Sequence, residues 1–149
     1  MSTIKEIMNT HAEYMSPNAT LKDVAGRMKK LDTGAIPISD DKGEKLIGMV
    51  TDRDIVLKAV AWGLDLNTTK AKDVVTSPII YCFEDQDVSE AAKIMKEKHV
   101  RRLVVLNRQK RLVGLISLSD IALKSKDEHL TYDIMSKVSR KQHESRTVM

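Results

Sequence analysis

The sequence predicts an α+β fold, α/β-like in its alternation: two copies of one β-α-β-β-α unit packed as a pseudo-twofold pair. Three observations predict it. The chain repeats itself at a nearly constant spacing. Each copy holds an amphipathic helical series followed by two short apolar runs around a polar turn. And 149 residues are too few to give each copy a sufficient core of its own, so the copies must share one.

The lead-ins come first: Ile4-Lys-Glu-Ile-Met8 falls on Ala71-Lys-Asp-Val-Val75, an offset of 67 (71 minus 4). The same offset aligns Leu21-Lys-Asp-Val-Ala-Gly-Arg-Met28 with Val88-Ser-Glu-Ala-Ala-Lys-Ile-Met95. In the first copy Thr20 precedes Leu21, Val24, Ala25, Met28 and Leu31, a helical spacing. Asp23 completes a capping box, so a helix is expected from about 21 to 32. Asp87 and Glu90 play the same parts in the second copy, where Val88, Ala91, Ala92, Ile94 and Met95 form the stripe to be buried.

Two hairpins follow. Ala35-Ile-Pro-Ile and Leu46-Ile-Gly-Met-Val flank the turn Asp40-Asp-Lys-Gly-Glu, and Arg102-Leu-Val-Val-Leu and Leu112-Val-Gly-Leu-Ile flank Asn107-Arg-Gln-Lys-Arg. The second strands align at an offset of 66 (112 minus 46), so the turn has lost one residue, which a hairpin tolerates. Thr51 and Ser117 then cap a second helix in each copy, with Asp54 and Asp120 at the third following position. The expected organisation is therefore a first repeat over 1–66, a second over 67–126, and a C-terminal helix and tail over 127–149. In the last segment Leu130, Tyr132, Ile134, Met135 and Val138 would dock a short helix, with a frayed polar end from Ser139.

Composition excludes several function classes. Twenty-one acidic residues are mixed among 25 basic ones, so the formal charge of +4 is no concentrated polyanion-binding patch. Aromatic residues are only 3 %, which leaves few stacking platforms for nucleic acid. No run approaches the ~20 apolar residues that cross a bilayer. The start Met1-Ser-Thr-Ile-Lys-Glu-Ile lacks a signal peptide's apolar stretch, and Cys82 is the one cysteine, so the expected compartment is the cytoplasm. His11, His99, His129 and His143 lack the spacing and the cysteine or carboxylate partners of a zinc site. Cys82, in the apolar run Ile79-Ile-Tyr-Cys-Phe, reads as a buried inert thiol. No glycine-rich phosphate loop, nucleophile elbow or helical His-Glu-x-x-His is present, so no enzyme is indicated and no cofactor is required.

Taken together, Gly34-Ala-Ile-Pro-Ile with Leu46-Ile-Gly-Met-Val-Thr-Asp-Arg-Asp-Ile, and Val100-Arg-Arg-Leu-Val-Val with Leu112-Val-Gly-Leu-Ile-Ser-Leu-Ser-Asp-Ile, resemble the cystathionine-β-synthase (CBS) domain in its tandem form, the Bateman module. Thr51-Asp-Arg-Asp-Ile resembles the small stand-alone members. The resemblance covers roughly residues 4 to 124. It implies a regulatory module that binds an adenosine nucleotide (AMP, ADP or ATP) or S-adenosylmethionine in clefts between the copies. It also implies a homodimer through the helices at 52–62 and 118–125, with Ile55, Val56, Ala59, Val60, Ile121 and Ala122 as the apolar patch, and an unidentified regulated protein.

Carried over by position, Asp54 and Asp120 would accept the ribose hydroxyls beside Thr51 and Ser117. Arg101 and Arg102 would reach phosphate with help from Arg53 and His99, and Ile36, Pro37, Ile80 and Val104 would wall the adenine or, as core residues, merely border its cleft. The chemistry suits these residues: a carboxylate accepts two hydrogen bonds from a cis-diol, and arginine presents a fork to phosphate. Each Ser/Thr-x-x-Asp step is also a plain capping box, and the arginine pair also reads as a solvated strand edge. The first copy has Gly34 and Ala35 where the second has the arginine pair, so the phosphate-binding charge falls mainly on one copy. The competing function is a scaffold that binds no ligand. A nucleotide-converting enzyme would need a general base, for which His99 is the one candidate near the site.

Overall fold

The computed structural model describes residues 2–10 and 12–148, with side chains described through residue 140. It divides into two compact units, Ala12–Ile80 and the pairing of Met1–His11 with Tyr81–Met149. Small sheets mix with helices in both, the α+β content that the repeats require.

In Ala12–Ile80, helix α2 (Leu21–Leu31) starts where the Thr20 hydroxyl accepts the Asp23 N–H, and it buries Leu21, Val24 and Met28. Ala25, expected in the buried stripe, lies at its edge and is exposed. The helix ends at Asp32 in the left-handed region, φ 52°. Strands β1 (Ala35–Ser39) and β2 (Leu46–Thr51) form an antiparallel hairpin with a bulge after Ile38. Every residue of β1 is buried. The third strand expected of a repeat contracts to one parallel bridge: the Met15 N–H donates to Pro37 O and the Ser39 N–H donates to Met15 O. Pro17, two residues on, has no N–H to extend it. Helix α3 (Asp52–Ile55) follows and continues into a wider π-helical turn, Val56–Val60, where the Ala61 N–H reaches Val56 O.

The other unit has the same plan with a full sheet. Lead-in helix α1 (Ile4–Ile7) precedes β3 (Tyr81–Phe83), which runs parallel to β4 (Arg102–Leu106), and β4 pairs antiparallel with β5 (Leu112–Ser117) with its bulge after Val105. Helix α4 (Val88–Lys98) is capped by Asp87 through the Ser89 N–H, one position earlier than the expected Glu90, and ends at His99 with φ 56°. Its buried face is Val88, Ala91, Ala92 and Met95. Helix α5 (Leu118–Asp120) again passes into a π-helical turn, Ile121–Ser125. The last helix, α6, is longer than expected, Glu128–Val148. It docks through Ile134 and Val138 and through a Lys96–Asp133 ion pair of 2.9 Å, while Tyr132 and Met135 are exposed rather than docked.

These units are not cut where the sequence repeats. The lead-in at residue 76 pairs with the first hairpin, through Met49 N–H to Thr76 O and Thr76 N–H to Met49 O. The lead-in at residue 9 pairs likewise with Leu115 of the second. Each lead-in therefore packs with the repeat it does not adjoin in its own copy of the pattern. Gly48 and Gly114, the matching glycines of β2 and β5, lie under these crossings: a Cβ would run into Thr76 O at Gly48, and would stand 2.7 Å from Asn9 O at Gly114.

Candidate functional site

Most of the site residues lie at one corner of each unit, where the first strand of the hairpin begins and the second strand turns into a helix. In Ala12–Ile80 the register sets Ala35 opposite Thr51, and the Asp52 N–H donates to Gly34 O at 2.9 Å. In the other unit Arg102 lies opposite Ser117, and the Leu118 N–H donates to Arg101 O at 2.8 Å. The corners are equivalent in main chain and different in charge. Arg101 and Arg102 stand where the first has Gly34 and Ala35, while the first carries Asp52 and Arg53 where the second has Leu118 and Ser119.

Both Ser/Thr-x-x-Asp steps are complete capping boxes. The Thr51 hydroxyl accepts the Asp54 N–H at 3.1 Å, and the Thr51 N–H donates to Asp54 Oδ2 at 2.9 Å. The Ser117 hydroxyl and N–H repeat these bonds with Asp120 at 3.1 and 2.9 Å. Capping leaves each carboxylate with accepting capacity, since two oxygens offer about four lone pairs. Side-chain exposures of 12 % for Asp54 and 20 % for Asp120 leave both within reach of a ligand. The Thr76 hydroxyl also donates to Asp54, at 3.3 Å. Lys58 and Lys124 approach the two carboxylates at 3.1 and 3.6 Å. Sequence reasoning missed these three, although Asp-x-x-x-Lys occurs at both steps and was the signal to find the lysines.

The other expected residues divide. Arg101 is exposed and Arg102 half-buried, so both suit a charged ligand. Arg53 is exposed, and its N–H donates to Asp52 Oδ1. His99 is the left-handed cap of α4. Of the residues expected at the adenine, the side chains of Ile36 and Val104 are 1 % and 0 % exposed and pack in the core, and Pro37 is buried in β1. Such fully packed side chains bring only main chain to a ligand. Ile80, half-buried, lies before β3. A groove of about 490 Å³ adjoins the first corner, lined by Gly34, Asp52, Thr33 and Met28 among others, but Thr51 and Asp54 do not line it.

Burial pushes the Cys82 thiol up to about 12, which removes its nucleophilic form near neutrality. Among the described residues no group of three or more His, Cys, Asp or Glu is placed to hold a metal ion. His11 and the side chain of His143 lie outside the described residues. No helix among the described residues is long and apolar enough to cross a membrane.

Comparison with known proteins places the chain in a wider set. The family model for the CBS domain matches twice, over residues 4–60 and 71–127. Hypoxic response protein 1 of Mycobacterium tuberculosis is 39 % identical over 122 residues, covering 82 % of this chain and 84 % of that one. Its crystal structure, with two coordinated zinc ions, superposes with a TM-score of 0.70 over 82 % of this chain and 98 % of that one. The CBS domain pair of protein MJ0100, solved in complex with 5′-methylthioadenosine and S-adenosyl-L-methionine, is 25 % identical with a TM-score of 0.72, covering 82 % and 94 % of the two chains. A CBS domain protein from Thermoplasma acidophilum shares the fold at a TM-score of 0.80 and 22 % identity, covering 91 % of this chain and 75 % of that one.

Proposed function

Because the chain belongs to the CBS-domain family, we propose that it is a cytoplasmic regulatory module, not an enzyme, that binds an adenosine-bearing ligand such as AMP, ADP, ATP or S-adenosylmethionine. Asp54 and Asp120 accept the ribose hydroxyls beside Thr51 and Ser117. Main chain of Ile36, Pro37 and Val104, with Ile80, borders the adenine. Arg101 and Arg102, aided by Arg53 and His99, take phosphate, so the corner at Ser117 favours the more anionic ligand. The observation that supports this most is the repetition of a part-exposed, oriented carboxylate at both corners. The adenosine ligands of the MJ0100 pair support the same reading.

A second reading, a homodimerising scaffold that binds no ligand, is favoured by an apolar surface. Ile55, Ala59 and Ile121, expected in the dimer patch, are buried in the chain itself, but Val56, Leu57, Val60, Trp62 and Leu64 are exposed on one stretch of the first unit.

Thermal denaturation with millimolar AMP, ADP, ATP, S-adenosylmethionine or 5′-methylthioadenosine separates the two. Ligand at 100 times its Kd stabilises by about 2.7 kcal/mol, roughly 5–10 °C for a chain of this size. The shift should shrink in Asp54→Ala or Asp120→Ala. No shift with any of the five would leave the scaffold standing.

A further inference from the structure

The two carboxylates share a partner arrangement that ligand binding alone does not call for. Four residues after each aspartate stands a lysine, in Asp54-Ile-Val-Leu-Lys58 and Asp120-Ile-Ala-Leu-Lys124. Lys58 Nζ lies 3.1 Å from Asp54 Oδ1, and Lys124 Nζ lies 3.6 Å from Asp120 Oδ1. Each ammonium also donates to a lead-in carbonyl within its own unit, Lys58 to Val74 O and Lys124 to Ile7 O, both at 3.2 Å. Val74 and Ile7 are equivalent positions, 67 apart (74 minus 7), so the whole bridge occurs twice.

A lone half-exposed ion pair of this kind contributes little to stability. The geometry points to orientation instead. The capping boxes hold Oδ2 of each carboxylate on the main chain, at 2.9 Å from the Thr51 or Ser117 nitrogen. Nothing in a capping box holds Oδ1, and the terminal torsion of aspartate is soft; at Asp54 the Thr76 hydroxyl also donates to Oδ1, at 3.3 Å, and itself accepts from Lys58 Nζ at 3.2 Å, so the lysine orients both. A lysine anchored at its far side on a main-chain carbonyl supplies that restraint. A carboxylate held in one plane then meets a pair of ligand hydroxyls in a fixed orientation, the Thr76 and Ser117 hydroxyls that donate to Asp54 and Asp120 giving way to them.

We propose that Lys58 and Lys124 are positioning residues for a ribose cis-diol, each pinning Oδ1 of its aspartate and tying it to the packed lead-in. This rests on the reading of Asp54 and Asp120 as the ribose acceptors.

The test is calorimetric binding of adenosine and 2′-deoxyadenosine to the full chain. Lys58→Met and Lys58→Arg are measured in an Asp120→Ala background, so that the first corner alone reports, and Lys124→Met in an Asp54→Ala background. Loss of one charge-assisted restraint should weaken adenosine about 5–10-fold. Arginine at position 58 should restore most of that. The deoxynucleoside offers the carboxylate a single hydroxyl and should lose less than about twofold, since only the diol needs both oxygens fixed. Equal losses for the two nucleosides would make the lysines merely structural and overturn the proposal, as would unchanged adenosine binding in Lys→Met. Failure of the unaltered chain to bind adenosine would instead remove the ribose reading and this proposal with it, so the two failures are distinguishable.

Discussion

Replacing Gly48 by alanine should break the contact that joins the lead-in to the first hairpin. The added Cβ would run into Thr76 O and stand 2.9 Å from Val75 Cγ2, with main chain as the nearest obstacle. Relief requires the 74–76 segment to move away from β2, stretching the two hydrogen bonds between Met49 and Thr76, of 3.1 and 3.0 Å. Stretching forfeits part of the about 0.5–1.5 kcal/mol that each such bond contributes, and overpacking at a tight site adds about 1–3 kcal/mol, so a loss of about 2–4 kcal/mol is expected. At roughly 2–4 °C per kcal/mol, the Tm falls by about 5–15 °C. Gly114→Ala should do the same more gently, because its main-chain obstacle, Asn9 O at 2.7 Å, stands farther off than Thr76 O does at Gly48, and Met8 Sδ, at 2.8 Å, is the mobile end of a side chain. Gly26→Ala is the internal control: it lies within α2 with open space around its Cβ position, so alanine should stabilise by about 0.5–1 kcal/mol. Calorimetric melting of the three variants decides the matter. A Gly48→Ala Tm within 2 °C of the parent, or a Gly26→Ala variant that melts below Gly48→Ala, would refute the crossing argument.

Three further outcomes are expected. Cys82, with its thiol pushed up to about 12 by burial, should resist a disulfide reagent at pH 8 in the folded chain and react once denaturant is added; rapid labelling of the folded chain would contradict its burial. Asp133 is held below the usual carboxylate range, first by its hydrogen bond from Lys96. Its folded pKa is the depressed one, so its contribution is present above the ordinary value of 3.8 and lost as pH falls through the folded value. Carboxyl NMR should therefore give Asp133 a midpoint below 3.8 that rises in Lys96→Met. Val60→Asp, at a position 52 % exposed, should leave folding intact and convert a homodimer into monomer by light scattering; a parent already monomeric at micromolar concentration would remove the dimer reading.

Much of the fold is legible because its signals are local. The Thr20 cap, the stripe of Leu21, Val24 and Met28, and both hairpins follow from neighbours three or four residues apart on a helix, or two apart on a strand, whereas the bulges after Ile38 and Val105 do not. The Ser/Thr-x-x-Asp steps are legible for the same reason, as capping boxes within one helical turn. Ile36 and Val104 were harder. Their alternation marks β-structure, but β1 and β4 are buried on both faces, so position in the strand could not tell a cleft wall from a core residue. The length of α6 was missed because its apolar positions stop at Val138 while the helix continues to Val148.

The sequence by itself determined that there are two repeats, where their main helices and hairpins lie, and that each copy presents a capping-box carboxylate at a helix start. It did so because repeats, periods and caps are written within a few residues of one another. Only the tertiary structure decided which lead-in each hairpin takes. The lead-ins match both copies at the same offset, so no local preference separates the pairings. Only the tertiary structure, again, gave Asp54 and Asp120 their lysines' second anchors, on Val74 and Ile7, carbonyls 16 and 117 residues from those lysines. Such contacts exist only once chain closure has been completed against its entropy cost, which no short window of sequence records.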